Sequence, residues 1–336
     1  MVVLLRRRYA PGNPAFDTCR THFEDATTRC SRLGGVAITT DNSVVEVMER
    51  ILLVPDGARE FTEDLSDVRI HHRIRAALLQ QLLDLGLPHR GTGEEMRFDK
   101  WDMANVGVSL GLPCPRRLAM RWWSKALAET PTCRSIGYTL EVAARCPDPG
   151  HAEPCEFSLS PEFQGAARVR AVRSGVYSCE IGLPGGLRYF GDPFTDLFAS
   201  VLDIRFHLLP VALSDDLGFV AETNLADCRA ATMHLLRQAR ERELPVRTAV
   251  GYFVAPPYAT PHAWIECQLE DAWWPADPFL LNALIRWQII DPSRWPVNRS
   301  PQALLWPLHK RHFVAMTHRG AEVYPTVAMT ERRLSG

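Results

Sequence analysis

The sequence predicts an α+β protein with two domains, and three observations lead to this prediction. The chain has 336 residues, a length that suits two globular domains better than one. Residues 133–190 consist of short β-type stretches separated by Pro and Gly, and they follow two stretches with helical apolar spacing. After residue 191, a third helical pattern leads into apolar strands, as in a helix packed on an antiparallel sheet. We therefore divide the chain into residues 1–190, a mixed α/β N-terminal domain of undefined role, and residues 191–336, a second domain.

The composition excludes two classes of partner. Hydrophobic residues make up 46% of the chain, charged residues 23%, and the formal net charge is −1, so no basic surface for nucleic acid is indicated. No uninterrupted apolar segment approaches the roughly 18–20 residues that span a bilayer. The start "MVVLLRRRYAPGNP" reverses the basic-then-apolar order of a signal peptide. We expect a cytoplasmic protein with no nucleic-acid or membrane partner, and the oligomeric state stays open.

The first two helical patterns have Gly or Pro residues that mark their ends. The stretch "VRIHHRIRAALLQQLLDLGL" (68–87) places apolar residues at three- and four-residue steps and ends in Gly86 and Pro88. The stretch "CPRRLAMRWWSKALAET" (114–130) has Pro115 in a first-turn position, and Pro131 follows it. Each is predicted as one continuous helix.

The segment "CPDPGHAEPC" contains Cys146, His151 and Cys155, which are three potential zinc ligands. Their spacing matches no familiar structural-zinc pattern, and no fourth ligand lies nearby in the sequence. A Pro-rich loop is favoured, and no metal or other cofactor is predicted. The nine cysteines are odd in number and widely spread, which favours free thiols in a reducing compartment.

Cys228 lies at the start of a predicted helix. The stretch from Cys228 to Arg242 has helical apolar spacing, Asn224 or Asp227 can cap it, and basic residues lie toward its end. The thiol therefore lies at the positive end of a helix dipole, which stabilises a thiolate, the nucleophilic form of cysteine.

A strand and a hairpin follow this helix. "LPVRTAVGYFV" (244–254) reads as a central strand, in which Gly251 allows another group to approach closely. "HAWIECQLEDAWWPADP" (262–278) has two apolar strands around the polar pair Glu270 and Asp271. With those two residues as the loop, Asp277 lies opposite Trp264, and His262 becomes its diagonal neighbour on the same face.

The alternation of side chains along a strand also predicts which face of the hairpin the other residues occupy. Cys267 is expected to face away from His262 into the core, and Glu266 shares the face of His262 either as a group close to the site or as a solvated carboxylate. The tryptophans 264, 273 and 274 are expected mainly to pack.

Cys228, His262 and Asp277 thus have the residue types of a catalytic triad. The cysteine is the nucleophile, the histidine the general base and acid, and the aspartate the group that orients the imidazole. Such a triad suits acyl transfer through a thioester.

The segment from Asp227 to Pro278 resembles the transglutaminase-like core. The resemblance rests on "DC" at a helix start, "LPVRTAVGY", "HAWIE" and "WWPADP", in that order. It implies an α+β papain/transglutaminase-like fold, catalytic roles for Cys228, His262 and Asp277, and an oxyanion hole that includes the N–H of Cys228. Arg229 stands where animal transglutaminases have tryptophan, and their acidic calcium-site segments are not apparent, so calcium-dependent crosslinking is not expected.

Three functions remain open at this stage. The favoured one is an acyltransferase that takes an acyl group from a protein, a peptide or a carrier-bound thioester and passes it to an amine acceptor. The second is a cysteine peptidase or amidase, in which water is the acceptor. The third is an inactive binding module on the same fold.

Overall fold

An eight-stranded antiparallel sheet dominates the computed structural model, which describes residues 41–129, 135–148, 150–151 and 153–335. These residues belong to one compact unit, Ala37–Gly336. The described residues contain ten α-helices: α1 (Asp41–Leu52), α2 (Leu65–Ile70), α3 (Ala76–Asp84), α4 (Lys100–Ser109), α5 (Pro115–Glu129), α6 (Pro161–Ala166), α7 (Phe194–Ala199), α8 (Leu217–Thr223), α9 (Cys228–Glu241) and α10 (Pro278–Arg286). Together with the antiparallel sheet they confirm the α+β class.

The strands fall into one large sheet and three small ones. The described strands are β1 (Phe61–Glu63), β2 (His89–Arg90), β3 (Arg97–Asp99), β4 (Ser135–Ala143), β5 (Phe157–Leu159), β6 (Arg168–Arg173), β7 (Val176–Pro184), β8 (Arg205–Phe206), β9 (Leu225–Ala226), β10 (Val246–Ala255), β11 (Tyr258–Leu269), β12 (Ala272–Ala276), β13 (Leu305–His309), β14 (Met316–His318), β15 (Ala321–Val323) and β16 (Thr326–Ser335). The large sheet has the order β13-β10-β11-β16-β4-β7-β6, and β12 pairs with β11 beside this path.

Strands from both sides of residue 190 share the large sheet. β4, β6 and β7 come from the predicted N-terminal domain, and the others come from the predicted second domain. β16 joins the two groups because it pairs with β4 along its length and with β11 at Tyr258 and Ala259. One sheet therefore contains strands from both sides of the predicted boundary at 190/191.

Helices cover both faces of β11 near the hairpin. On one face, Ala231 and Leu235 of α9 pack in a cluster with Ile265 and Cys267. Trp264, which must point the other way from Ile265, packs in a different cluster that contains residues of α5 and α10. α5, α9 and α10 therefore all pack around β11.

The continuous helix predicted over residues 68–87 is wrong. The structure has α2 and α3 instead, and Arg73 between them has a φ of 59°, a left-handed conformation that ends a helix. Val68 and Ile74 both lie in the core cluster beneath these helices. The apolar periodicity continues across the break because both pieces bury residues in the same core.

The second helix prediction is confirmed, since α5 covers Pro115–Glu129. With 15 residues it is the longest described helix. No helix of the described residues combines the length and apolar character needed to cross a membrane.

Candidate active site

The thiol of Cys228 lies at the first residue of α9. Asp227 is the N-cap, and its Oδ1 accepts a hydrogen bond from the Ala230 N–H at 2.8 Å. Its other oxygen accepts from Ser214 Oγ at 3.1 Å, and burial raises the pKa of Asp227. The alternative cap, Asn224, instead ends α8 in a left-handed conformation. Asp227 thus fixes the start of α9, and Cys228 is partly exposed there.

The hairpin has the predicted register. Leu269 pairs with Ala272 and Ile265 pairs with Ala276, so the loop is Glu270 and Asp271. Glu270 adopts a φ of 55°, which allows the tight reversal. Asp277 follows the last paired residue and lies beside the strand that carries His262.

His262 and Asp277 form a buried pair. Their side chains are 7% and 5% exposed, and His262 Nε2–H donates a hydrogen bond to Asp277 Oδ2. The other oxygen of Asp277 accepts from the Leu280 N–H at 3.0 Å, which makes Asp277 the N-cap of α10. The carboxylate is therefore held from two sides, and it orients the imidazole.

The thiol of Cys228 interacts with the same imidazole and helps to raise its pKa. Burial lowers the pKa of His262, but the charge and hydrogen bond of Asp277, together with Cys228, outweigh burial and raise it to about 10. His262 therefore holds a positive charge at neutral pH, close to the sulfur of Cys228.

A second cation, Arg116, acts on the same sulfur. Arg116 belongs to the first turn of α5, and its charge interacts with Cys228. Burial lowers the pKa of Arg116 to about 10, while Cys114 and Cys228 act in the opposite direction. The side chain also lies over the ring of Trp101, with 5.4 Å between the guanidinium carbon and the ring centroid. Arg116 was not predicted from the sequence, because nothing in the α5 pattern links it to α9.

Two aromatic rings hold the imidazole in place. Trp264 stacks on His262 with ring centroids 6.0 Å apart, and Phe253 meets it edge-on at 6.2 Å. Trp264 is buried, which agrees with its predicted packing role. The rings of Trp273 and Trp274 contact the guanidinium groups of Arg247 and Arg188 instead.

Cys267 and Glu266, two further residues of the hairpin, are both buried. Cys267 is buried in the cluster beneath α9, as predicted. Glu266 is also buried and accepts a hydrogen bond from Arg247 Nε at 2.6 Å. The alternative of a solvated carboxylate is therefore wrong, because Arg247 lies directly opposite in the sheet.

Gly251 lies between the strand that carries His262 and the backbone of β13. It pairs with His262 across β10 and β11, and a Cβ at this position would lie 2.0 Å from the carbonyl oxygen of Trp306 in β13. The β10–β13 register shifts between Val250 and Gly251. The close approach predicted at Gly251 is thus confirmed, and the approaching group is backbone.

Arg229, the residue after the cysteine, points to the surface, where its Nε donates to Asp215 Oδ1 at 2.6 Å. It therefore takes part in an exposed ion pair next to the cap of α9. The structure brings Cys228, His262 and Asp277 together.

No protein-family model matches the chain. A search of curated proteins gives no significant match.

Proposed function

We propose that this protein is a transglutaminase-like thiol acyltransferase that forms amide bonds through a thioester on Cys228. The observation that carries the proposal is the connected series of a partly exposed thiol, a positively charged imidazole and a buried carboxylate. These are the groups that nucleophilic catalysis by cysteine requires. The resemblance of residues 227–278 to the transglutaminase-like core supports the same assignment and a papain-like arrangement of α9 against the hairpin.

In the first half-reaction the Cys228 thiolate attacks the carbonyl carbon of the donor. A carbon–sulfur bond forms, and the bond to the leaving amine, alcohol or thiol breaks. His262 gives its proton to the leaving group and becomes neutral. As the first residue of α9, Cys228 has an N–H without an acceptor inside the helix, and this group stabilises the negative oxygen of the tetrahedral intermediate.

In the second half-reaction an amine attacks the thioester carbonyl. A carbon–nitrogen bond forms, the carbon–sulfur bond breaks, and Cys228 leaves as a thiolate. Neutral His262 takes the proton from the amine, which returns both side chains to the state in which they began the cycle. Asp277 keeps the imidazole oriented throughout and compensates its charge.

Intact-mass spectrometry tests this proposal. The protein is incubated with acyl thioesters or glutamine-containing peptides, with and without an amine acceptor, and the adduct is located by peptide mapping. We expect an acyl adduct on Cys228 that moves to the amine. The matched variant Cys228→Ala is expected to carry none.

Two outcomes contradict the proposal. An adduct lost to water at a rate that amine does not change indicates a peptidase or amidase. No adduct with any donor, combined with no selective alkylation of Cys228 by iodoacetamide at neutral pH, indicates an inactive binding module.

A further inference from the structure

A second group of cysteine and histidine side chains lies in a separate three-stranded sheet. Cys146, His151 and Cys155 come from the segment between β4 and β5, and His318 is the last residue of β14. β14 pairs with β5, and His318 is opposite Phe157. This pairing brings His318 to the segment that precedes β5, although His318 lies 163 positions after Cys155 in the sequence (318 minus 155).

The four side chains converge on one point. Each offers a potential ligand atom, and all four ligand atoms lie within 4.8 Å of one another. His151 Nε2 is 3.0 Å from Cys146 Sγ and 3.4 Å from Cys155 Sγ. In a tetrahedral zinc site with bonds of about 2.3 Å to sulfur and 2.0 Å to nitrogen, neighbouring ligand atoms are about 3.3–3.8 Å apart. The cluster is thus close to the dimensions of such a site.

His318 provides an independent reason to expect a ligand. It is 5% exposed, and its Nε2 is buried without a hydrogen-bond partner among the described residues. Its ring packs on Phe157, with 4.6 Å between the centroids. A buried polar nitrogen without a partner is unfavourable, and a bond to a metal ion satisfies it.

The donor set selects the metal. Two thiolates and two neutral imidazoles form a Cys2His2 set, which is typical of structural zinc and leaves no coordination position for a substrate. The two thiolates balance the charge of Zn²⁺, so the ion is neutralised within a partly buried cluster. Softer N/S ligands also disfavour magnesium and calcium.

We propose that Cys146, His151, Cys155 and His318 bind one structural zinc ion. Binding forms two Zn–S and two Zn–N bonds and releases the two thiol protons to solvent. The ion connects the segment after β4 to β14. β5, β14 and β15 have three residues each, so this small sheet has few hydrogen bonds of its own and gains a covalent anchor.

Metal analysis of the full chain, purified without chelator, tests the site. We expect about one zinc per chain, bound tightly enough to resist dialysis against a weak chelator. The double variant Cys146→Ser/Cys155→Ser and the variant His318→Asn are expected to contain roughly tenfold less zinc. His312→Asn is the matched control, since His312 is exposed on the same segment and its variant is expected to keep full zinc content.

A second measurement uses the unmodified chain and does not depend on how the variants fold. X-ray absorption at the zinc edge is expected to show two sulfur and two nitrogen neighbours, at about 2.3 and 2.0 Å. Cobalt substitution is expected to give sulfur-to-cobalt charge-transfer absorption. A different ligand set, metal-free protein after growth and refolding with zinc, or a Cys146–Cys155 disulfide would each overturn the proposal.

Discussion

Two groups of cysteine and histidine side chains lie in contrasting surroundings in this protein. In the Cys228 site a single thiol, partly open to solvent, interacts with an imidazole that is hydrogen-bonded to a buried carboxylate. In the Cys146 cluster two thiols and two imidazoles converge, and no carboxylate bonds to either imidazole among the described residues. The two groups therefore differ in what the histidine side chain contacts. The carboxylate of Asp277 raises the pKa of His262, whereas His318 has a buried ring nitrogen without a hydrogen-bond partner among the described residues.

The largest expected effects come from removing the thiols of each site in turn. Cys228→Ala removes the nucleophile, so we expect acyl transfer to fall roughly 10⁴-fold or more while zinc content and melting temperature stay unchanged. Cys146→Ser/Cys155→Ser is expected to remove the zinc. Transfer assays, metal analysis and thermal melts of both variants check this. Loss of zinc in Cys228→Ala would show that the two groups are not separate sites.

The second effect concerns the carboxylate of the Cys228 site. Asp277→Asn keeps an oxygen that caps α10 but can place an amide against Nε2, so the imidazole loses its orienting anion. We expect kcat to fall roughly 10³- to 10⁴-fold, with the fold retained. Steady-state kinetics and circular dichroism measure both.

Asp216→Asn is the matched control for Asp277→Asn. Asp216 is also an N-cap, since it accepts hydrogen bonds from Gly218 and Phe219, but no histidine is bonded to it among the described residues. Its variant is expected to leave kcat nearly unchanged. Equal losses of kcat in the two variants would assign the effect to capping alone.

The third effect is a dependence of stability on pH. Because the pKa of His262 is raised from 6.5 to about 10, the stability from its ion pair is fully present below pH 6.5 and is lost as the pH rises toward 10. The free energy of unfolding is expected to fall in this range by at most about 1.4 kcal/mol per pH unit. Denaturant unfolding between pH 6 and 10 measures the slope. His262→Gln should flatten it, and an unchanged slope in that variant would assign the titration to other groups.

The smallest effect is expected at Arg116. Arg116→Gln removes a cation that interacts with Cys228, so the rate of alkylation by iodoacetamide at neutral pH should fall about 3- to 10-fold. Arg117→Gln serves as the control, because Arg117 donates to the carbonyl oxygen of Trp287 instead. An alkylation rate in Arg116→Gln equal to that in Arg117→Gln would contradict a role for Arg116 and would assign the effect on the thiol to His262.

The sequence was sufficient for the elements around Cys228 because their determinants are local. The capping aspartate, the apolar helix spacing and the polar pair Glu270–Asp271 lie close to the residues that they position. Strand alternation then predicted that His262 and Asp277 share a face. The roles of these residues in acyl transfer remain predictions.

Other features depend on contacts between distant segments and could not be predicted. The break at Arg73 is invisible in the apolar pattern, since α2 and α3 bury residues in one cluster. Arg116 and His318 reach their partners only through the packing of α5 and the pairing of β14 with β5. No spacing rule in a single sequence detects a ligand 163 residues away (318 minus 155).

The position of β16 has a consequence for biosynthesis. This strand lies between β11 and β4 in the large sheet, and its partner residues in β4 precede it by about 190 positions. During translation β4 and β7 can pair with each other early. The other edge of β4 stays unpaired until residues 326–335, which form β16, have been synthesised and have left the ribosome. Until then that edge is free to pair with other chains, and a nascent chain stalled before β16 would be a substrate for chaperones.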